Sequence, residues 1–441
     1  MRFDDVIDSA LDVIRGGLGN RSCPVTFVRD VAGQLTAVLE EDVLEEAEVE
    51  KLATALDERL GRFSPGPRRV LLRRSELIDE RDVLESPDRI RLPVPAETWL
   101  VDRLLTNQEW LRKPPLPRPP LPAATAFSLK GGVGRSTAVA VWAWHLAREG
   151  KRVVAIDLDL EAPGLGSLLL GDLPAYGMVD WLVEALLEDP GQDLLDDSLA
   201  FSPVADDAEG VVQVLPAFGA RTQDYVAKVG RVYLPSLAPN GGEIGLPERI
   251  GSLIAALAQR QDPPDVVLLD SRAGLHDIGA AAVTQLGAEV FLFARDEPQS
   301  WQAYRLLFEH LSRSKGLRFG MPDEDLRWRL KMVAAQVDKT EGAVASSVDA
   351  SYDTWSALYD DEGKATEENP AVTFVRDDSN APHHPLTVYY DPGLRGIGLV
   401  DAFQRPPWPV VEAAFGEFLG EATRRLLANS RTSGDTSRKE E

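Results

Sequence analysis

The sequence predicts a doubly wound α/β fold with a mostly parallel sheet, preceded by a small α+β region. Three apolar stretches predict it, each ending in polar groups. They are 123–126, which leads into FSLKGGVGRST (127–137); VVAIDLDLEAPGLG (153–166); and PDVVLLDSRAGLHD (264–277). Short continuous apolar runs suit strands buried on both faces. Polar groups gathered at the C-terminal ends of such strands mark the ligand edge of an open parallel sheet. Helical patterns alternate with these runs, as a doubly wound sheet requires.

Residues 1–112 read as the α+β domain. Phe3, Val6, Ile7, Leu11 and Ile14 share one helical face. Strands are expected at 25–28 and 35–39 around the Ala32-Gly33 turn, a helix over 43–60 ending near Gly61, and a strand at 68–73. WLVDRLLTNQEWL, 99–111, reads as an amphipathic helix packed on a domain or docked on a partner. KPPLPRPPLP, 113–122, is a proline-rich linker in extended polyproline conformation, favoured over a PxxP ligand by its position between two folded regions.

Residues 123–429 form the predicted α/β domain. An acidic helix-and-loop stretch at 180–197 precedes the strand VVQVLPA, and 220–245 reads as an insertion over the site or at a dimer interface. PERIGSLIAALAQRQ is a helix feeding the strand that ends in Asp270; AEVFLFAR, LRWRLKMVAAQVD and PLTVYYDP supply further strands. In the last of these, Tyr389 and Tyr390 read as core residues. His383 and His384 read as two polar loop residues without zinc spacing, and 341–380 as a polar, acidic, mobile excursion. The final helix, 409–429, aligns Val411, Phe415, Phe418, Ala422 and Leu426. Its polar face carries Glu412, Glu417 and Glu421, which favours docking on the core, because interfacial helices prefer Lys and Arg there. The Ser-, Thr- and charge-rich 430–441 reads as a disordered tail.

Composition narrows the function. At 441 residues and 44% hydrophobic the chain has room for two domains with a sizeable core. Cys23 is the one cysteine, so neither a disulfide framework nor a cysteine metal site is available. No window approaches the ~18 apolar residues of a membrane span, and the acidic N-terminus lacks a signal-peptide pattern. A cytoplasmic protein is expected. A net charge of −24 disfavours DNA and anionic membranes as partners.

Strand, glycine-rich turn and helix are the layout of a phosphate-binding loop. Gly131, Gly132 and Gly134 let the backbone curl and turn its N–H groups toward phosphate oxygens, with the helix N-terminus adding its dipole. As a set, KGGVGRST, DLDLEAPGL and LLDSRAG resemble the deviant Walker A, Walker A′ and Walker B segments of ParA/MinD-type P-loop ATPases, over a region from Ala123 to near Asn429. The chain departs from the family at two positions: Arg135 stands where the P-loop lysine is normal, and Leu129 replaces the first glycine of GxxxxGK[ST]. This KGGVGR form resembles a variant branch found in bacterial signalling or conflict-type gene neighbourhoods.

The resemblance implies an α/β P-loop NTPase that binds ATP with Mg²⁺. Lys130, Gly131, Gly132, Val133, Gly134, Arg135, Ser136 and Thr137 would hold the phosphates; strand order, separately, suggests Gln336 as a donor to the adenine near a wall at Asp391-Pro392. Ser136 would ligate Mg²⁺, with Asp157 or Asp270 acting through water. Asp159 would align the attacking water, and Lys130 would reach a partner's nucleotide across an ATP-dependent homodimer. Arg135 leaves two outcomes open, a weak ATPase or a site that binds without hydrolysis or not at all, because a planar guanidinium does not replace an ammonium unchanged. Arg272, where MinD-type relatives carry proline, is either a phosphate contact or a salt bridge. The resulting expectation is a nucleotide switch acting on a protein partner of unknown identity through the N-terminal region or 225–245. The alternative is a non-hydrolysing scaffold that recruits partners. Kinase chemistry is a third reading, disfavoured because the tail lacks a tyrosine cluster.

Overall fold

The computed structural model describes residues 1–86, 88–94, 97–112, 118–237, 243–313, 325–360, 371–394 and 396–431. Part of the proline-rich linker and nearly all of the tail lie outside them. The chain divides into two compact units, the first spanning Met1–Lys113.

In the first unit, helix α1 (Val6–Leu18) is followed by β1 (Val25–Arg29), β2 (Leu35–Leu39), helix α2 (Glu46–Leu60), β3 (Leu71–Arg73), β4 (Arg89–Arg91) and β5 (Thr98–Asp102). They make a five-stranded sheet in the order β3-β2-β1-β5-β4. Val6, Ala10 and Ile14 of α1 and Leu52 and Leu56 of α2 form one buried cluster with Phe27 and Leu39. Gly61 caps α2 at φ 54°, a conformation that costs glycine little.

The expected helix at 99–111 is not there. Its first part is β5, which runs parallel to β1 with Val25 opposite Thr98 and Arg29 opposite Asp102. Thr98, Leu100 and Val101 are buried, and the Thr-Trp-Leu-Val run has the β-branched and aromatic side chains that suit a pleated, half-buried surface. The remainder contracts to a single 3₁₀ turn, Gln108–Trp110. Pairing with β1 outweighs the helical spacing of the leucines.

The second unit is the doubly wound sheet. Its strands are β6 (Ala123–Ser128), β7 (Arg152–Asp157), β8 (Ala200–Phe201), β9 (Val211–Leu215), β12 (Val266–Ala273), β13 (Glu289–Ala294), β14 (Leu330–Val337) and β15 (Leu386–Tyr389). A separate two-stranded ribbon pairs β10 (Ser236–Leu237) with β11 (Glu243–Ile244). The large sheet has the order β15-β14-β13-β6-β12-β7-β9-β8, and all neighbours are parallel except β8 with β9.

Alternate residues of each strand feed opposite layers. Val153 and Ala155 face one cluster while Val154 and Ile156 face the other, the period-2 signature of a sheet covered on both sides. Helix α3 (Arg135–Arg148) covers the first face, and α4 (Met178–Glu184) and α6 (Leu246–Ala258) the second, with α5 (Gly191–Asp197) near them. The next helices are α7 (Pro298–Leu311), α8 (Glu341–Trp355) and α9 (Trp408–Arg431).

Helix α3 is apolar almost all round because it lies under a further helix. Trp142 packs edge-on against Phe291 of the sheet and Phe418 of α9, and donates its indole N–H to Thr423 at 2.9 Å. The face of α9 that the sequence aligns is therefore the docked one: Val411, Phe415, Phe418, Ala422 and Leu426 are all buried.

Three further expectations change. Residues 341–355 are not a mobile excursion but α8, capped by the Thr340 side chain, with Trp355 fully buried against Phe308. Its buried face is made largely of small polar residues. Ser347 and Thr354 donate back to the carbonyls of Ala343 and Ala350, and Ser351 donates to the His383 carbonyl. Local hydrogen bonds of this kind let hydroxyls be buried at little cost, which hydropathy does not register. His383 is likewise no surface residue: its ring is buried and bonds the Tyr359 hydroxyl at 2.6 Å and the Arg376 carbonyl at 2.9 Å. Tyr390 lies outside the core, 42% exposed.

Truncating the ring that joins α3, α9 and β13 tests this arrangement. Phe418→Ala should lower the unfolding free energy by about 3–5 kcal/mol in urea titration; a loss below about 1 kcal/mol would mean that α9 is not docked.

Candidate functional site

The C-terminal ends of β6, β7 and β12 lie side by side, with Asp157 and Asp270 opposite each other in register. Beyond β6 the chain makes its glycine-rich turn. Gly132 and Gly134 take φ 75° and 90°, the left-handed values that exclude most side chains, and Gly134 is the N-cap of α3. No atom lies within 4 Å of the position a Cβ would occupy at Gly131 or Gly132, so the loop opens onto free space. Ser128 donates to the Lys130 carbonyl at 2.8 Å, and Gln336 to the Gly132 carbonyl at 2.9 Å. Gln336 itself sits at φ 57° in a bulge of β14. It buttresses the loop in a place where the sequence suggested a contact to the base.

Arg135 is the centre of the site. It is 7% exposed, and its guanidinium donates to three acceptors: Nε to Asp270 Oδ1 at 2.7 Å, Nη1 to Ser128 Oγ at 3.0 Å and Nη2 to Asp159 Oδ2 at 3.0 Å. Burial opposes its charge, but the two carboxylates outweigh burial and hold its pKa above the ordinary value. Burial raises Asp159 against the pull of Arg135.

Asp157 holds the A′ loop. Its oxygens accept N–H groups of Asp159 at 3.1 Å, Gly164 at 3.1 Å and Leu165 at 3.0 Å. Burial, with the charge of Asp270 beside it, pushes its pKa up to about 7, and the three N–H groups only partly offset that. Ser136 and Thr137 lie half-buried in the first turn of α3, and Val133 is buried. Lys130 is partly exposed and paired within its own chain, to Gln299 and, at 3.5 Å, to Glu297.

Arg272 resolves as a salt bridge: it meets Glu161 at 2.8 Å. Glu161 also accepts the Tyr233 hydroxyl, and the Tyr225 hydroxyl donates to the Leu160 carbonyl. Burial raises the pKa of both phenols, which keeps them donors. The described part of 225–245 is thus fastened to the A′ loop. Arg249 secures its base through the carbonyls of Leu182, Val232 and Leu234 at 2.8, 2.6 and 2.9 Å. Sequence reasoning missed Ser128, Glu161, Tyr233 and Glu297. A serine closing an apolar strand and a glutamate inside DLEAPG were the available signals.

Mg²⁺ wants several oxygen donors in near-octahedral geometry. Asp157 is committed to backbone, and Arg135 occupies one oxygen each of Asp159 and Asp270. Asp270 Oδ2, like the neighbouring Ser271 Oγ, is buried without a partner, and it belongs to the carboxylate that Arg135 already pairs. Among the described residues no group of three or more His, Cys, Asp or Glu side chains is placed to hold a metal. With Arg135 in position these carboxylates do not fit the ion.

The fold and the loop together define a doubly wound α/β domain of the P-loop class. No family model matches the chain. It is 30% identical over 170 residues to an iron-sulfur cluster carrier protein of Pseudomonas fragi and 29% identical over 188 residues to the antiactivator FleN of Pseudomonas aeruginosa. These matches cover 36% and 43% of this chain, and 55% of each relative. The chain thus spans about half the length of the curated relatives it matches. Among solved structures, a ParA family ATPase from Chlorobium tepidum is similar over 63% of this chain and 88% of its own, with 18% identity and a TM-score of 0.39. In its three Walker segments the chain is similar to the ParA/MinD-type P-loop ATPases.

The pairing of Arg135 predicts a stability effect without any ligand. Arg135→Ala should cost about 3–5 kcal/mol in urea unfolding, because it leaves Asp270 and Asp159 buried and facing each other uncompensated. Arg135→Lys should recover only part of this, since an ammonium cannot span three acceptors held for a planar fork.

Proposed function

We propose that the chain is an ATP-binding switch of the KGGVGR variant branch, which dimerises with nucleotide, hydrolyses ATP slowly and changes its contacts with a protein partner between states. The observation that supports it most is the open turn at Gly131 and Gly132 beside Asp159 and Asp270. Exposed N–H groups at a helix N-terminus bind phosphate, and a carboxylate at the adjacent strand end suits the orientation of an attacking water. Lys130 is bound to Glu297 and Gln299 in the single chain. Exchange of those partners for a neighbouring subunit's phosphate gives dimerisation its link to nucleotide. The partner surface in this reading is 225–245, which is tied to the A′ loop and exposes Val226, Leu234 and Leu237.

One observation favours a second reading, a nucleotide-holding scaffold without turnover. Arg135 engages Asp159, and a carboxylate pinned by a guanidinium is a poor acceptor for a water proton.

ATP turnover measured beside light scattering, with ATP and with ADP, separates the two. The switch predicts slow native turnover, below the roughly 1 s⁻¹ at the low end of ordinary enzymes. It also predicts that Asp159→Ala abolishes turnover and accumulates an ATP-bound dimer. Native turnover no faster than that of Asp159→Ala, with ATP still bound, establishes the scaffold instead.

A further inference from the structure

The cation that this site offers to a phosphate chain is already built into it. Arg135 sits at the junction of β6, β12 and the A′ loop, where Asp270 and Asp159 converge, and both carboxylates spend an oxygen on it. It is nearly inaccessible at 7% exposure. Drawing it out to admit a divalent ion would strip a guanidinium of three hydrogen bonds at 2.7–3.0 Å. Leaving it in place while adding the ion would set two cations against the same carboxylates.

A guanidinium carries five N–H donors. Three are used, one each from Nε, Nη1 and Nη2. The second N–H on each terminal nitrogen is not engaged by these three acceptors. Arginine never loses its proton in proteins and matches phosphate oxygens with two parallel donors. Lys130, partly exposed at the other end of the loop and paired with Glu297, carries a second positive charge. The site therefore holds two fixed cationic side chains beside the loop, each shared with carboxylates of its own chain.

We propose that Arg135 serves as the resident cation of this loop in place of a divalent metal, so that the chain takes a nucleoside triphosphate in its metal-free form. The inference rests on the reading of the loop as a nucleotide site, and the experiment separates the two. Calorimetric titration of the full chain with ATP is run in Mg²⁺ and again in EDTA, on native protein and on Arg135→Lys. The expected result is native affinity in EDTA within about fivefold of that in Mg²⁺. Arg135→Lys should lose more than about tenfold on moving to EDTA, because its point charge leaves the carboxylates open to the ion.

A native affinity that falls more than about fivefold in EDTA overturns the inference and leaves the nucleotide site standing. Equal binding by Arg135→Lys in both buffers overturns the role of Arg135. Binding in neither buffer overturns both the inference and the proposed function. The native comparison decides the matter even where the variant fails to fold, which circular dichroism would reveal.

Discussion

The site depends on one buried contact, the guanidinium of Arg135 among Asp270, Asp159 and Ser128. Each acceptor belongs to a different piece of chain: the end of β12, the A′ loop and the end of β6. Burying a charge is costly unless partners satisfy it, and truncating one partner strands the others. Such a contact adds little net stability beside an apolar replacement. Its effect is on geometry, since three short directional bonds leave the loop, the A′ segment and the strand end one relative arrangement. A lysine at this position would leave the carboxylates looser and the loop freer.

The rest of the loop conforms to that anchor. With Arg135 fixed as the first residue of α3, the chain must return from β6 within six residues, Leu129 to Gly134. The left-handed turns at Gly132 and Gly134 are how it does so. Gln336 then holds the Gly132 carbonyl from across β14, and its own φ of 57° is strain of the kind that persists where the surroundings over-determine it. A side chain from outside the motif thereby helps to shape the phosphate loop.

The fold was legible wherever periodicity decided it. Buried strands such as 153–157 and 266–270, and the docked stripe of α9, follow from apolar spacing alone. Legibility ended where long-range pairing or local hydrogen bonding won. Thr98–Asp102 is a strand because β1 offers an open edge, and α8 is buried because its serines and threonines bond back to their own helix. In the candidate site, the residues at the ends of β6, β7 and β12 do converge. Their partners did not show in the sequence, because a salt bridge such as Arg272 with Glu161 joins residues 111 positions apart. Spacing reveals which residues share an edge but not which of them neutralise each other.

The tyrosines of 225–245 complete the argument from geometry. Tyr225 donates to the backbone at Leu160 and Tyr233 to the Glu161 carboxylate, which Arg272 also holds from the end of β12. Asp159 lies one residue before Leu160, so the segment that meets Arg135 and the segment that meets the insertion are one stretch of backbone. A change in how Asp159 is held cannot stay local, because its neighbours are tied on the other side. Leu234 and Leu237, exposed at 53% and 77% just beyond Tyr233, stand at the far end of that linkage. A shift in the charge balance around Arg135 would reach the surface there first.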